Sequence, residues 1–106
     1  MVNTSINNKY LNQYASDIMI LCRQYNVKTL YAFGSALTER FSNDSDVDLL
    51  VAFNELPVED YADNYFDFKF SLQDIFNRQI DLLEEQAIKN PYLLQNINRH
   101  KQLIYG

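Results

Sequence analysis

Two aspartates near the middle of the chain, Asp46 and Asp48, are the first residues whose types and spacing could do chemistry. They open the apolar run 49–53, which predicts a strand. Side chains alternate between the two faces of a strand, so both carboxylates are expected to project from one face, close to each other. Like charges at such range repel, and a divalent cation is the simplest way to offset that repulsion.

A third aspartate, Asp81, lies in segment 79–83, which repeats the pattern of the segment that carries Asp46 and Asp48. If the two predicted strands are neighbours, Asp81 can complete a triad. Three carboxylates with open coordination positions suit two Mg²⁺ ions about 3.5–4 Å apart, and Mn²⁺ can take their place. One ion would activate an attacking hydroxyl, and the other would bridge phosphates and leaving group.

Gly34 and Ser35 form the second candidate element, directly after the apolar run 29–33. The chain has only two glycines, and Gly34 is the internal one, so its position is informative. Glycine allows a sharp turn and a close approach of the backbone to a ligand. Ser35 adds a hydroxyl and a main-chain N–H where segment 36–45 is predicted to begin as a helix, a combination typical of a phosphate-binding turn.

Helices and short strands alternate along the chain and would position these residues. Apolar side chains at three- and four-residue steps predict amphipathic helices, and short apolar runs predict strands. The predicted helices span residues 8–25, 58–77 and 91–100, and the predicted strands span 29–33, 46–53, 79–83 and 102–105. We therefore expect an α/β (α+β) fold, a small mixed sheet of three to four strands with flanking helices, in a single domain over residues 1–106.

The composition excludes several other classes of protein. With 106 residues, 47% of them apolar, the chain can fill one core. Its formal net charge of −5 disfavours a surface that tracks a nucleic-acid backbone. No apolar run approaches the roughly 20 residues of a membrane span, and no secretory signal is visible, so a cytoplasmic location is expected. Cys22 falls on the apolar face of the first helix and is expected to be a buried core thiol.

Taken together, these motifs resemble the signature of the DNA polymerase beta-like nucleotidyltransferase superfamily: Gly34-Ser35, a spacer, then Asp46-x-Asp48. The length and the order of elements are similar to those of its minimal nucleotidyltransferase (MNT) family. The features shared with that family are Phe33-Gly34-Ser35, the strand 45–51, the later aspartate within 80–83 and the ending 90–106. The resemblance covers nearly the whole chain.

The resemblance implies transfer of AMP from ATP to a hydroxyl, with pyrophosphate leaving. Gly34 and Ser35 would hold the terminal phosphates. Asp46 and Asp48 would bind both metal ions, while Asp81 would bind the catalytic ion and help to deprotonate the acceptor. The rate enhancement would come from positioning and charge neutralisation, as is usual in phosphoryl transfer.

The resemblance also implies a class of partner. Members of the MNT family are often antitoxins that silence a HEPN-type RNase toxin by attaching AMP to a tyrosine. Few residues follow the third predicted strand, which leaves little chain for an acceptor pocket and also favours a protein acceptor. Two alternatives stay open: a non-catalytic antitoxin that acts by binding alone, and a nucleotidyltransferase that acts on a small molecule such as an aminoglycoside.

One departure from the family pattern concerns phosphate binding. Many members carry Ala-Arg-Gly shortly after the Gly-Ser pair, where this chain has Leu37-Thr38-Glu39. If that arginine holds phosphate, Thr38 cannot do so, and Arg40 is the candidate substitute.

Several other polar and aromatic side chains have simpler interpretations. The single histidine, His100, is expected to be a solvated surface residue. Phe66 and Phe70 lie off the apolar stripe of the helix at 58–77, and could be exposed in a protein interface. Acidic residues of that helix are expected to form a solvated face, which could also meet a basic partner; they are Asp60, Asp63, Asp67 and Asp74.

Overall fold

The computed structural model describes residue 6 and residues 8–38, 41–42 and 44–106. Arg40 lies outside these residues. The helices are α1 (Lys9–Asn12), α2 (Ala15–Gln24), α3 (Val58–Phe76) and α4 (Pro91–His100), and the strands are β1 (Val27–Phe33), β2 (Val47–Phe53), β3 (Ile80–Glu84) and β4 (Gln102–Tyr105). Two short 3-10 turns, Gly34–Leu37 and Glu85–Ala87, follow β1 and β3.

The four strands form one mixed sheet in the order β3-β2-β1-β4. β1 pairs with β2 and with β4 in antiparallel fashion, whereas β2 and β3 are parallel. The parallel pair requires a crossover, and α3 supplies it. The structure therefore confirms the predicted mixed sheet with flanking helices, including the edge strand near the C-terminus.

The core lies where α1, α2 and α3 pack against the sheet. Its largest fully buried side chains come from several elements; they are Phe68, Leu11, Leu30, Leu49, Leu72, Val47, Val51 and Cys22. Burial raises the pKa of the Cys22 thiol to about 12, so the sulfur stays protonated near pH 7. The thiolate is the nucleophilic form of cysteine, and Cys22 is therefore the core thiol that its position predicted.

The single helix predicted over residues 8–25 is wrong in one respect. The structure divides it into α1 and α2, because Tyr14 leaves helical geometry with φ −104° and ψ 7°. Its ring packs against Tyr10 at 5.5 Å and against Phe76 at 4.6 Å between centroids. These tertiary contacts accompany the break, while Leu11, Ile18 and Cys22 keep the buried face that the apolar spacing predicted.

The longest helix, α3, is anchored to the edge strand β3. Tyr65 donates a hydrogen bond of 2.6 Å to the Leu82 carbonyl, and the Tyr61 hydroxyl bonds the Glu84 carboxylate. Asn77 ends the helix in the left-handed region at φ 52°, a conformation that asparagine tolerates well. Across the part of the chain that the structure describes, no helix is both long and apolar enough to cross a membrane.

We expect Phe68→Ala to destabilise the fold by about 3–5 kcal/mol, since the Phe68 ring is fully buried and its removal leaves a cavity. The matched control is Phe70→Ala on the same helix, where the ring is 54% exposed. Urea denaturation at equilibrium measures both changes. A loss at Phe70 as large as that at Phe68 would contradict the assignment of the core face of α3.

Candidate active site

The sheet register places the candidate residues side by side at one end of the sheet. Asp48 in β2 is paired with Phe33 in β1 on one side and with Asp81 in β3 on the other. Gly34 follows Phe33 directly, at the point where β1 ends. Asp46 stands one residue before β2, on the same strand path as Asp48. Neighbouring residues in parallel strands project to the same face, so the carboxylates of Asp48 and Asp81 lie on one face of the sheet.

Gly34 makes close contact with the Asp48 side chain. Its φ of +74° lies in the left-handed region that L side chains rarely adopt. A Cβ built on Gly34 would overlap the Asp48 carboxylate, nearer than any real carbon approaches an oxygen. Glycine is therefore required here both for the turn and for the space that Asp48 occupies.

The carboxylates influence one another electrostatically. Burial raises the pKa of the Asp48 carboxyl, and the nearby charges of Asp81 and Asp46 raise it further. Burial also raises the pKa of the Tyr65 hydroxyl, with Glu84 and Asp81 as additional causes. The charge of Asp81 therefore acts on the pKa of both Asp48 in the sheet and Tyr65 on α3.

The residue types of the candidate site suit a divalent cation better than the positions of their side chains do. Three carboxylates offer the hard oxygen ligands that Mg²⁺ prefers, and a cation would relieve the repulsion by Asp81 and Asp46 that adds to burial in raising the pKa of Asp48. Over the described ranges, however, no group of three or more His, Cys, Asp or Glu side chains is gathered closely enough to hold a metal ion. Asp46 and Asp81 are exposed, which leaves their side chains room to turn towards a cation.

Arg78, which no motif in the sequence indicated, holds the loop that leads into Asp46. Its guanidinium donates hydrogen bonds to the carbonyls of Ser42 at 3.0 Å and Ser45 at 2.8 Å. The same group lies over the Phe41 ring, 4.4 Å from the centroid. The partners are more than thirty positions away in sequence, so no local pattern indicates the contact. Arg78 is thus a positioning residue for the start of β2.

Hydrogen bonds also fix the turn after β1. Thr38 donates to the Ser35 carbonyl from its main-chain N–H at 2.9 Å and from its hydroxyl at 3.0 Å. The Asn8 side-chain amide donates to the Ala36 carbonyl at 2.8 Å and so ties the turn to the start of α1. Thr38, which stands where many MNT proteins have arginine, therefore closes the Gly34–Ser35 turn.

A cleft of about 730 Å³ separates this turn from α4. The turn contributes Gly34 and Ser35, and α4 contributes Asn96 and His100. His100 is exposed, as its sequence context predicted, but it lies at the rim of the cleft next to the candidate site. Asn96 and His100 are four residues apart in a helix. This spacing could have indicated from the sequence that both lie on one face of α4.

The chain is similar to known proteins over most of its length. A family model described as polymerase beta, nucleotidyltransferase matches residues 16–106. Two proteins of Methanocaldococcus jannaschii, each named putative protein adenylyltransferase, are similar over 86 residues, one at 38% identity and one at 31%. Both alignments cover 81% of this chain and 83% of the relative.

Solved structures share the fold. One described as a putative minimal nucleotidyltransferase has a TM-score of 0.74 at 23% identity, and covers 94% of this chain and 98% of that chain. A toxin-antitoxin structure with AMP-PNP has a TM-score of 0.67 at 19% identity, and covers 86% of this chain and 72% of that chain. The mutant D39ED41E of the toxin-antitoxin MntA-HpeT has a TM-score of 0.65 at 17% identity, and covers 86% of this chain and 71% of that chain. The minimal nucleotidyltransferase fold expected from the sequence is confirmed.

We expect Gly34→Ala to destabilise the domain by more than the roughly 1–2 kcal/mol that a left-handed backbone costs an L residue, because the methyl group also meets Asp48. The double variant Gly34→Ala, Asp48→Ala keeps the backbone strain and removes the collision. A double-mutant cycle in urea should therefore show a smaller cost of Gly34→Ala in the Asp48→Ala background. Equal costs in both backgrounds would mean that Gly34 and Asp48 are not in contact in solution.

Proposed function

Because the chain belongs to the polymerase beta nucleotidyltransferase family, we propose that it moves AMP from ATP to a hydroxyl group of a partner protein. The predicted enzyme class, a nucleotidyltransferase, is confirmed by that membership. The observation that carries the proposal is the position of Asp48, which lies between the Gly34 turn and Asp81. An element that can approach phosphates closely thus stands beside two carboxylates.

In the proposed reaction each candidate residue has a defined task. The Gly34–Ser35 turn would hold the terminal phosphates of ATP, and Asp46 and Asp48 would face the α-phosphate. The acceptor oxygen attacks the α-phosphorus, a new P–O bond forms, and the bond to the bridging oxygen breaks with release of pyrophosphate. Asp81 would help to take the proton of the acceptor hydroxyl. Catalysis of this kind depends on alignment of the reacting groups and on stabilisation of charge.

Asp46, Asp48 and Asp81 are the residues that would hold Mg²⁺ or Mn²⁺. The chemistry that such ions supply when bound is neutralisation of phosphate charge and a lower pKa for the attacking hydroxyl. The placement of the carboxylates supports this assignment, because Asp48 is paired with Asp81 across β2 and β3, and the charges of Asp81 and Asp46 add to burial in raising the pKa of Asp48. Two ions are proposed, since the three side chains offer enough oxygens for a shared pair.

A protein acceptor is supported by the relatives and by the charge of the chain. The two M. jannaschii proteins carry the name protein adenylyltransferase, and two of the structures that share the fold are of toxin-antitoxin complexes. The net charge of −5 would complement a basic docking surface. We propose a HEPN-type RNase toxin as the partner and a tyrosine, serine or threonine hydroxyl as the acceptor.

The first prediction of this proposal is that transfer needs Mg²⁺ or Mn²⁺ and falls by roughly a hundredfold or more in Asp48→Asn, the scale typical of a lost electrostatic contact at a transition state. The control is Asp74→Asn, which changes an exposed aspartate on α3. Release of pyrophosphate from ATP in the presence of the partner measures both variants. Full transfer in EDTA would refute the metal assignment.

The Asp48→Asn variant should nevertheless stay folded. A raised pKa means that folded Asp48 holds its proton more tightly than the unfolded chain does, so ionisation lowers the free energy of unfolding as pH rises above the ordinary aspartate range. Asparagine at position 48 does not ionise, so the variant avoids that decrease in the free energy of unfolding. The thermal midpoint of Asp48→Asn at pH 7 in EDTA should therefore equal or exceed that of the wild type, which separates lost chemistry from lost folding.

The second prediction concerns the acceptor. A HEPN-type toxin encoded beside this chain should gain one or more AMP units when it is co-expressed with the wild type, and none with Asp48→Asn. Intact mass spectrometry of the toxin measures the gain, and cell growth measures whether the toxin is silenced.

Other outcomes would select the alternatives. Equal silencing by the wild type and by Asp48→Asn, with no gain of mass, would identify a non-catalytic antitoxin that acts by binding. Modification of a small molecule such as an aminoglycoside by the purified chain, with no protein acceptor, would identify a small-molecule nucleotidyltransferase.

A further inference from the structure

The cleft beside the Gly34–Ser35 turn has two walls of different character. One wall is the turn itself, with Phe33 before it and Leu37 within it. The other is a face of α4 that presents Leu93, Asn96 and Ile97. Ile97 is buried, but Leu93 is 42% exposed, so the cleft leaves apolar surface in contact with solvent. Covering such surface with a ligand is favourable by the hydrophobic effect.

Away from the Gly34–Ser35 turn, the side chains that line the cleft suit a flat aromatic ring better than they suit phosphates. Four of them are apolar: Phe33, Leu37, Leu93 and Ile97. Neither lysine nor arginine is among the described residues that line the cleft, and its one histidine, His100, is exposed at the end of α4. Phosphate groups need cations or several N–H donors, and they lose hydration without compensation against apolar side chains. A nucleobase, in contrast, gains from apolar walls and needs only a few polar contacts at its edge.

We propose that the cleft between the Gly34–Ser35 turn and α4 binds the nucleoside end of the nucleotide, with Leu93 packed on an adenine ring and Asn96 bonded to its edge. This inference rests on the proposed function and assigns α4 a part in substrate selection. The amide of Asn96 has one acceptor and one donor group, which match the exocyclic amine and the ring nitrogen N7 of adenine. Guanine presents two acceptors at the corresponding atoms and cannot satisfy both halves of the amide.

The position of α4 relative to the sheet supports this assignment. α4 leads directly into β4, which pairs with β1 through Ala32 and Gln102, so the end of α4 lies beside the end of β1. Asp81 lies on the opposite side of Asp48, in β3. A nucleotide in the cleft would therefore reach Asp48 from the β1 side and leave the β3 side open to the acceptor.

The experiment measures equilibrium binding of three probes to the full chain in Mg²⁺: ATP, GTP and inorganic tripolyphosphate. The variants are Asn96→Ala and Leu93→Ala, and the matched control is Asn98→Ala, an exposed position of α4 that does not line the cleft. Ser35→Ala serves as the phosphate-side comparison. Because Asn96, Leu93 and Asn98 are exposed, all three variants should fold, and circular dichroism checks this.

We expect Asn96→Ala and Leu93→Ala each to weaken ATP binding roughly fivefold or more and to leave tripolyphosphate binding unchanged. Asn96→Ala should also reduce the preference for ATP over GTP, which Leu93→Ala should not. Asn98→Ala should match the wild type with every probe, and Ser35→Ala should weaken ATP and tripolyphosphate alike.

Two results would overturn the inference while the proposed function stands. Unchanged ATP binding in both Asn96→Ala and Leu93→Ala would place the nucleoside elsewhere. Equal losses for ATP and tripolyphosphate in these variants would assign the cleft to the phosphates. A wild-type chain that binds none of the three probes would instead refute the nucleotidyltransferase proposal, and this inference with it.

Discussion

The contact between the Gly34 backbone and the Asp48 carboxylate is the constraint on which the site depends. Phe33 and Asp48 are paired across β1 and β2, so the chain turns at residue 34 directly beside the carboxylate. Any side chain at that position would displace Asp48, and any L residue would resist the left-handed φ. The turn after β1 and the Asp48 carboxylate can come this close only because Gly34 has no side chain.

The stability of the sheet offsets the electrostatic cost of the site. Asp48 is partly buried near Asp46 and Asp81, and the raised pKa shows that the fold disfavours its charged form. The rest of β2 is apolar and, apart from Ala52, buried, with Val47, Leu49 and Val51 almost fully removed from water. Packing of these side chains stabilises the pairing of β2 with β1 and β3. The repulsion between the carboxylates, taken alone, would oppose that pairing. Such local conflict is expected where a sequence serves chemistry as well as folding.

The strand order gives Asp48 two different neighbours, with β1 on one side and β3 on the other. The cleft and α4 lie on the side of β1 and β4, whereas Asp81 and the hydroxyl of Tyr65 on α3 lie on the side of β3. Elsewhere on α3, Phe66 and Phe70 are 48% and 54% exposed, with ring centroids 6.1 Å apart, and their predicted exposure is thereby confirmed. In the proposed reaction, the nucleotide would enter from one side and the acceptor protein from the other. In that proposal, one small sheet would bring donor and acceptor together without an enclosed pocket.

The sequence by itself determined the elements, the fold class and the motif residues, because apolar periodicity, Gly34 and the spaced aspartates are local signals. It did not determine the break between α1 and α2, since Tyr14 is held there by rings distant in sequence. Nor did it reveal Arg78, whose partners Ser42 and Ser45 precede the neighbouring strand β2, or the cleft walled by α4. The pairing of Asp48 with Asp81 was conditional on strands being neighbours. Only the tertiary structure decided these features, because each depends on contacts between segments that no local pattern relates.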